Sequence, residues 1–330
     1  MADRKQRLYG FDFVRVICTF GIFMFHFAVE SESTFYGFYR HANGGWGAIF
    51  NSLFLMLSGA MLYYNNEEVK NVGKFYFKRW LAIFPAFYLA WFYFYIRNVM
   101  ATKNLFYMGN RKSLLLTLFA QDGYLGFLGP NYYLVGEWFL GALVIIYLLY
   151  PLIVKVFNKV PFVTAGVLCI GWIWVYNTDI FPVIPPQNLI TCTFAFVLGM
   201  IIIRYRDKLL NNKWIVLVSA AITLVLLFVR IPLEENMTGL IMAFFAMIAL
   251  YNLGKLIVSK VIIFLSGLSY PFFLLHHQLI VKYMHLWDVT KLSGMIGGMA
   301  ATIAITLAGA FILDRVRRLI HLIVKKLHIV

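Results

Sequence analysis

The sequence contains little charge and only three cysteines in 330 residues. Asp, Glu, Lys and Arg together make up 13% of the chain, whereas hydrophobic residues make up 62%. A soluble domain of this length needs more polar side chains to cover its surface, so a water-soluble globular protein is excluded. The cysteines, Cys18, Cys169 and Cys192, lie in separate apolar segments without the spacing of metal ligands. They argue against both a disulfide framework and a zinc site.

Long apolar segments recur along the whole chain. Their lengths approach the ~20 residues that a helix needs to cross the hydrocarbon core of a bilayer. We therefore predict an all-α, polytopic membrane bundle of about ten transmembrane helices, forming one domain over residues 1–330 with no separate extracellular domain. The predicted segments are 10–29, 46–64, 80–96, 134–154, 161–176, 188–204, 213–229, 237–253, 261–283 and 293–313.

The positions of Lys and Arg predict the orientation of this bundle. With ten helices, 20 of these residues fall on the side that carries both termini and 8 on the other side, while Arg15 lies within a helix. Membrane proteins concentrate positive charge on the cytoplasmic side, so both termini are predicted to be cytoplasmic. The net charge of +15 is spread between apolar segments. Because it forms no single basic patch, nucleic-acid binding is not expected.

Ionisable residues inside the first apolar segment are the first candidates for a functional site. A charged side chain in hydrocarbon costs at least ~2.5 kcal/mol, so it needs a partner, a water-filled cavity or a function. His26 follows Arg15 by 11 residues, and at about 100° per residue both side chains lie within about 20° on one helix face. Asp12 precedes Arg15 by three residues and can pair with it.

A carboxylate and a second histidine are predicted to approach His26. In the ten-helix topology, Glu137 begins the fourth segment and His276 lies past the middle of the ninth, both towards the outer leaflet. A histidine beside a carboxylate and another histidine is suited to general acid–base catalysis. The alternative interpretations are hydrogen-bonded packing for the histidines and an interfacial position for Glu137.

Basic residues gather at the opposite, inner end of the predicted bundle. Lys78 and Arg79 precede the third segment and are expected near Arg15, where a cationic cluster could hold phosphate groups. Taken singly, Lys78 and Arg79 also fit the ordinary excess of positive charge on the cytoplasmic side. No metal site is predicted.

Five short motifs, in the same order and over nearly the whole chain, resemble acyltransferase family 3, the bacterial membrane acyltransferases of surface polysaccharides and related acceptors. They are GFDFVR (10–15) with His26, NSLFLMLSGAML (51–62), FKR (77–79) before FP (84–85), EWFL (137–140) before Pro151, and SY (269–270) before LH (275–276). Family members often carry a second Arg three residues before the Pro of the third motif. This chain has Ala82 at that position.

The resemblance implies transfer of an acyl group, commonly acetyl, from cytoplasmic acyl-coenzyme A to a hydroxyl of a cell-surface or lipid-linked sugar. The coenzyme would be a substrate, with no tightly bound cofactor. The protein would be a multi-pass protein of the bacterial plasma membrane, with the lipid bilayer, the donor and a saccharide acceptor as its partners.

The resemblance also implies roles for the candidate residues. At the inner end, Arg15, Arg79 and Lys78 would hold the anionic donor, and Asp12 would complete this donor-binding set by pairing with Arg15. At the outer end, His26 would remove the proton of the acceptor hydroxyl as it attacks the thioester, although a transient acyl-enzyme is an alternative. Glu137 or His276 would orient His26 or bind acceptor hydroxyls.

Two other functions fit a membrane protein with charged residues inside it. A transporter or flippase of a lipid-linked sugar would show two halves with corresponding broken helices. Such a correspondence is not visible, and most of the charged membrane residues lie in the first half. The second alternative is a non-catalytic membrane sensor with the same fold, against which the presence of both Arg15 and His26 argues.

Overall fold

The protein is helical apart from one short β-ribbon. A computed structural model describes residues 6–326, without the side chains of Glu137 and Lys325. Over these residues the α-helices are α1 (Tyr9–Glu30), α2 (Trp46–Asn65), α3 (Val72–Thr102), α4 (Leu114–Leu118), α5 (Glu137–Lys159), α6 (Pro161–Tyr176), α7 (Leu189–Arg204), α8 (Arg206–Leu209), α9 (Lys213–Phe228), α10 (Glu235–Leu256), α11 (Lys260–Tyr283) and α12 (Leu292–Lys326). The ribbon pairs β1 (Arg40–His41) with β2 (Gly44–Gly45) in antiparallel orientation. Short 3-10 helices are Tyr36–Phe38, Arg111–Ser113, Gly126–Leu128, Pro185–Gln187 and Met284–Leu286.

Each of the ten predicted segments overlaps an α-helix, but the helices differ in their ability to cross a membrane. Within residues 6–326, six have the length and hydropathy required: α1, α2, α5, α10, α11 and α12. Helices α6, α7 and α9 are apolar but contain 16 residues each. The multi-pass helical membrane fold is therefore confirmed, whereas ten crossings and two cytoplasmic termini stay predictions.

Polar residues set the positions at which several helices begin. Asn71, Asn188, Asn212 and Ser259 each precede a helix and accept a hydrogen bond from a backbone N–H of its first turn. These bonds satisfy donors that an α-helix leaves unpaired at its N-terminus.

Helices α3 and α12 extend by two turns or more beyond the segments predicted for them, and both extensions contribute to a site. Helix α3 begins at Val72, before the predicted start at residue 80, so Arg79 lies inside the helix. Helix α12 continues to Lys326, past the predicted end at residue 313, and carries Arg317 on the added turns. Apolar periodicity did not predict these turns because they are charged and lie beyond the hydrophobic segments.

The core of the bundle lies among α1, α2, α7 and α10, and α11 joins it along α1. Two glycines permit the close approach of α2 and α7. A Cβ atom on Gly59 would lie 1.9 Å from the carbonyl oxygen of Phe196, and one on Gly199 would lie 1.8 Å from the carbonyl oxygen of Met56. Any larger side chain at either position would push the two helices apart.

The connection between α3 and α5 packs against the bundle. Trp91 on α3 donates from Nε1 to the carbonyl of Tyr132 at 2.9 Å, and the Tyr132 side chain is fully buried. Gln121 donates from Nε2 to the carbonyl of Gly141 on α5 at 3.2 Å. Burial raises the pKa of Asp122 in this connection to about 6, and the Thr117 hydroxyl donates to its carboxylate at 2.9 Å.

Candidate active site

Two cavities lie between the helices, at opposite ends of the bundle, and we call them inner and outer after the predicted orientation of the helices. The inner cavity, of about 470 Å³, is bordered by residues near the starts of α1, α3 and α11 and near the ends of α2 and α12. The outer cavity, of about 250 Å³, is bordered by the ends of α1 and α6 and the starts of α2, α5, α7 and α10. Helix α1 connects them, because Arg15 borders the inner cavity and His26 the outer one. Along the helix axis the two residues are about 16 Å apart.

Hydrogen bonds fix the position of Arg15 in the inner cavity. Its Nη1 donates to the Ser266 hydroxyl at 3.0 Å, and that hydroxyl donates to Asp12 at 2.6 Å. Arg15 and Asp12 also form the predicted ion pair, with Nη1 and Oδ1 3.8 Å apart. Arg7 donates twice to Asp12, at 2.7 and 3.0 Å. Asp12 is buried and does not border the cavity, so its structural role is to hold Arg15.

Of the two adjacent basic residues predicted at this end, only Arg79 faces the inner cavity. Lys78 is exposed and is absent from the described lining, because consecutive residues on a helix point about 100° apart. The Nε atom of Arg79 is buried and has no hydrogen-bond partner within the described part of the chain. The Arg79 guanidinium therefore retains the capacity to bind an anion.

The third guanidinium at the inner cavity belongs to Arg317 on α12, which the sequence did not suggest. Arg317 donates to Asp314 at 2.6 Å, and Arg318 shares that carboxylate at 2.5 Å. Ala82, at the position where a second arginine was expected from the family motif, borders the same cavity. Arg317 therefore adds a guanidinium to this cavity from a helix other than α3.

Three aromatic rings separate the two cavities, and we refer to them as the aromatic partition: Phe54, Phe139 and Phe273. The Phe139 and Phe273 side chains border both cavities, and their ring centroids are 5.8 Å apart in an edge-to-face arrangement. Phe54 packs on Phe139 with centroids 6.1 Å apart. Since the Phe139 and Phe273 side chains border both cavities, these two rings lie on the boundary between them.

The imidazole rings of α11 lie against His26 at the outer end. The ring centroids of His26 and His276 are 5.3 Å apart, and those of His26 and His277 are 5.2 Å apart in a stacked arrangement. His277 contacts Glu30 on α1, with Nε2 and Oε1 3.0 Å apart. The structure therefore brings together His26 and His276 as predicted. It also places there His277, for which a function was the weaker of two interpretations, and Glu30, which had no predicted role.

The hydrogen bond of His276 defines its tautomer. His276 is almost fully buried, and its Nδ1 lies 2.7 Å from the carbonyl oxygen of Phe273. A carbonyl oxygen can only accept, so Nδ1 carries the proton and the neutral ring keeps its lone pair on Nε2. The bond also ties the imidazole to the backbone of a residue in the aromatic partition.

One group of side chains within residues 6–326 has a geometry that could hold a metal ion. Its members are His26, Glu30 and His277, and their ligand atoms all lie within 4.8 Å of one another. Two imidazoles and one carboxylate form a donor set that suits zinc. The absence of a metal from the reaction remains a prediction.

Glu137, the carboxylate predicted to assist His26, begins α5, but its side chain lies outside the described residues. The next residue, Trp138, borders the outer cavity. The role of Glu137 therefore stays a prediction.

The described geometry provides one cationic cavity and one cavity with a histidine cluster, joined by a single helix. A family model described as an acyltransferase domain matches residues 8–315 of this chain. The matched region includes both cavities except for Arg317. No curated protein and no solved structure matches the chain.

Proposed function

This chain belongs to the family of acyltransferase domains and is a membrane acyltransferase, and we propose that it moves an acyl group from acyl-coenzyme A at the inner cavity to a sugar hydroxyl at the outer cavity. The observation that carries the proposal is the placement of Arg15 and His26 on one helix, each at a different cavity.

The inner cavity suits the donor because coenzyme A carries several phosphate groups. Arg15, Arg79 and Arg317 border this cavity, and charge-assisted hydrogen bonds from guanidinium groups are the strongest contacts that proteins make with phosphate. The buried Nε of Arg79 is open to such a contact. The thioester at the end of the flexible pantetheine arm then needs to pass the aromatic partition to reach His26.

The outer cavity suits the reaction because His26 supplies a base beside space for an acceptor. In the proposed step, neutral His26 accepts the proton of the acceptor hydroxyl while the oxygen forms a bond to the thioester carbonyl carbon. The carbon–sulfur bond then breaks, and the thiolate of coenzyme A takes the proton from His26. The products are an O-acyl sugar and free coenzyme A, so atoms and charge balance.

Mass spectrometry of surface glycans tests this function and identifies the acceptor. Cells that express the wild-type chain are compared with cells that express His26→Gln, at equal protein abundance in the membrane. We expect a mass increment of one acyl group on a sugar in the first culture alone. Identical glycan masses in both cultures would overturn the proposed reaction.

A further inference from the structure

Uncharged polar side chains border the outer cavity beside His26. Asn51 and Ser52 come from α2, Gln187 from the segment before α7, and Thr191 from α7. In the part of the chain that the structure describes, no protein group forms a hydrogen bond with the side chains of Asn51, Ser52 or Gln187. The Thr191 hydroxyl is buried and has no hydrogen-bond partner among the described residues.

Unused donors and acceptors in a partly buried cavity indicate a ligand that supplies their partners. Buried polar groups nearly always form hydrogen bonds, and leaving one unsatisfied costs about 1–3 kcal/mol. A hydroxyl group both donates and accepts, so it can pair with an amide or with another hydroxyl. The cavity is therefore complementary to a molecule rich in hydroxyl groups.

The charge of the outer cavity selects among such molecules. No Lys, Arg, Asp or Glu occurs among the lining residues whose side chains are described. The nearest arginine on the adjoining ribbon, Arg40, is paired with Glu235. The one histidine in the described lining, His26, acts as a neutral base in the proposed reaction. A carboxylate or phosphate that entered this cavity would therefore lose water without gaining a permanent cation, which is unfavourable in a low-dielectric site.

Two aromatic side chains add a surface for a sugar ring. Trp138 from α5 and Tyr176 from α6 both border the cavity and are only partly buried. Aromatic side chains combine a large apolar face with a polar edge, so they can contact the C–H face of a pyranose while neighbouring amides bind its hydroxyls. The volume of about 250 Å³ suits one ring better than a longer segment of glycan.

We propose that the outer cavity is a binding site for a single uncharged pyranose ring, recognised by Asn51, Gln187 and Thr191, and that it discriminates against sugars that bear a carboxylate or a phosphate. This proposal rests on the proposed function for its biological meaning. It specifies the class of acceptor and the residues that select it.

The test measures binding directly and therefore does not require acyl transfer. The full chain in lipid nanodiscs is mixed with methyl glucoside, methyl galactoside, methyl mannoside and methyl N-acetylglucosaminide. The uronides that correspond to the first three are measured in parallel by saturation-transfer difference NMR. We expect signals from at least one neutral glycoside and weak or absent signals from the uronides.

Three variants connect any binding to this cavity. Asn51→Ala and Gln187→Ala should each weaken the binding of the neutral glycoside by about twofold to tenfold, because one hydrogen bond to an uncharged group contributes about 0.5–1.5 kcal/mol. Gln187→Arg introduces a cation into the cavity. It should therefore strengthen the binding of the uronide relative to that of the corresponding neutral glycoside. Unchanged melting temperatures serve as the control for folding.

Several results would overturn the proposal. They are equal or stronger binding of uronides by the wild-type chain, binding that survives both alanine substitutions, and the absence of binding by every neutral glycoside. If neutral glycosides bind but no acyl group is ever transferred to them, the site stands and the proposed reaction fails.

Discussion

The two cavities differ in chemistry although one helix contributes to both. The inner cavity has three guanidinium groups and is the larger, at about 470 Å³ against 250 Å³. The outer cavity has amides, hydroxyls and aromatic rings, and His26 is the only histidine among its described lining residues. A single substrate would not need two such environments. The difference is what an enzyme requires when one substrate is a polyanion and the other is a sugar.

The aromatic partition makes this difference possible. Phe139 and Phe273 border both cavities, so the cationic cavity and the cavity with His26 adjoin at these rings. In the proposed reaction, a thioester in the inner cavity is separated from His26 by these rings until it enters the outer cavity.

Substitution of His26 is expected to produce the largest effect and to act on the outer cavity alone. His26→Gln preserves much of the size and hydrogen bonding but cannot accept a proton near neutral pH. Transfer should fall by about two to four orders of magnitude, while donor affinity at the inner cavity stays unchanged. The matched control is His285→Gln, because His285 is exposed and lies outside both cavities. Near-normal transfer by His26→Gln would leave Glu137 and His276 as the candidates for the base.

Removal of one guanidinium from the inner cavity is expected to weaken the binding of the donor and to leave the binding of the acceptor unchanged. A hydrogen bond to a charged group contributes about 1.5–3 kcal/mol, so Arg79→Ala or Arg317→Ala should weaken acyl-coenzyme A binding by about tenfold to a hundredfold. Lys78→Ala is the matched control, since Lys78 adjoins Arg79 but is absent from the described lining of the inner cavity. Isothermal titration with the purified protein measures all three.

Equal losses of affinity in Arg79→Ala and Lys78→Ala would mean that donor binding depends on the general positive charge of this end and not on the inner cavity. An unchanged affinity in a folded Arg79→Ala, Arg317→Ala double variant would remove the donor from this cavity.

Zinc is expected to inhibit through the outer cavity. A Zn²⁺ ion held by His26, Glu30 and His277 would occupy the lone pair that His26 needs for the proton, so added Zn²⁺ should lower transfer and a chelator should restore it. Changes beyond the ligands themselves already alter metal affinity by 10–100-fold, so Glu30→Gln should raise the inhibitory concentration by at least about tenfold. Inhibition of equal strength in the variant would place the metal elsewhere.

Asp122 lies in a third region, the connection between α3 and α5, outside both cavities. Its substitution should have the smallest effect on acyl transfer. Burial holds the pKa of Asp122 at about 6, above its ordinary value of 3.8, so folding disfavours the ionised form. The protonated carboxyl therefore contributes to the free energy of unfolding. This contribution is fully present below about pH 4 and is lost as the pH rises through about 6. The loss corresponds to at most about 3 kcal/mol.

Asp122→Asn cannot ionise and should abolish this decline. Melting temperatures of both proteins, measured near pH 4 and near pH 7, provide the comparison. Parallel pH profiles would mean that the carboxyl of Asp122 titrates normally in the folded protein.

The sequence predicted the membrane bundle well because apolar segments directly reflect burial in lipid. It predicted helix ends less well, since the first turns of α3 and the last turns of α12 are charged and lie beyond the apolar segments. Arg317 was missed for this reason, because a basic residue after the last apolar segment looks like an ordinary cytoplasmic anchor.

The candidate site was predictable where it lies on one helix. The 11-residue spacing placed Arg15 and His26 on one face of α1, and the ion pair of Asp12 with Arg15 followed from a three-residue step. Contacts between helices were not predictable from spacing, and the hydrogen bond of Ser266 to Arg15 is an example, because the two residues are 251 positions apart. Glu30 was missed because a carboxylate at a helix end gives no local sign of its histidine partner.

The central claim is that an acyl group passes from the inner cavity to the outer one within a single chain. Sealed proteoliposomes test it, with a neutral methyl glycoside trapped in the lumen and labelled acyl-coenzyme A added only outside, where it cannot cross the bilayer. The account predicts labelled O-acyl glycoside in the lumen, with coenzyme A released outside, and no product from vesicles that contain His26→Gln. Product that forms only when donor and acceptor share one compartment would contradict it.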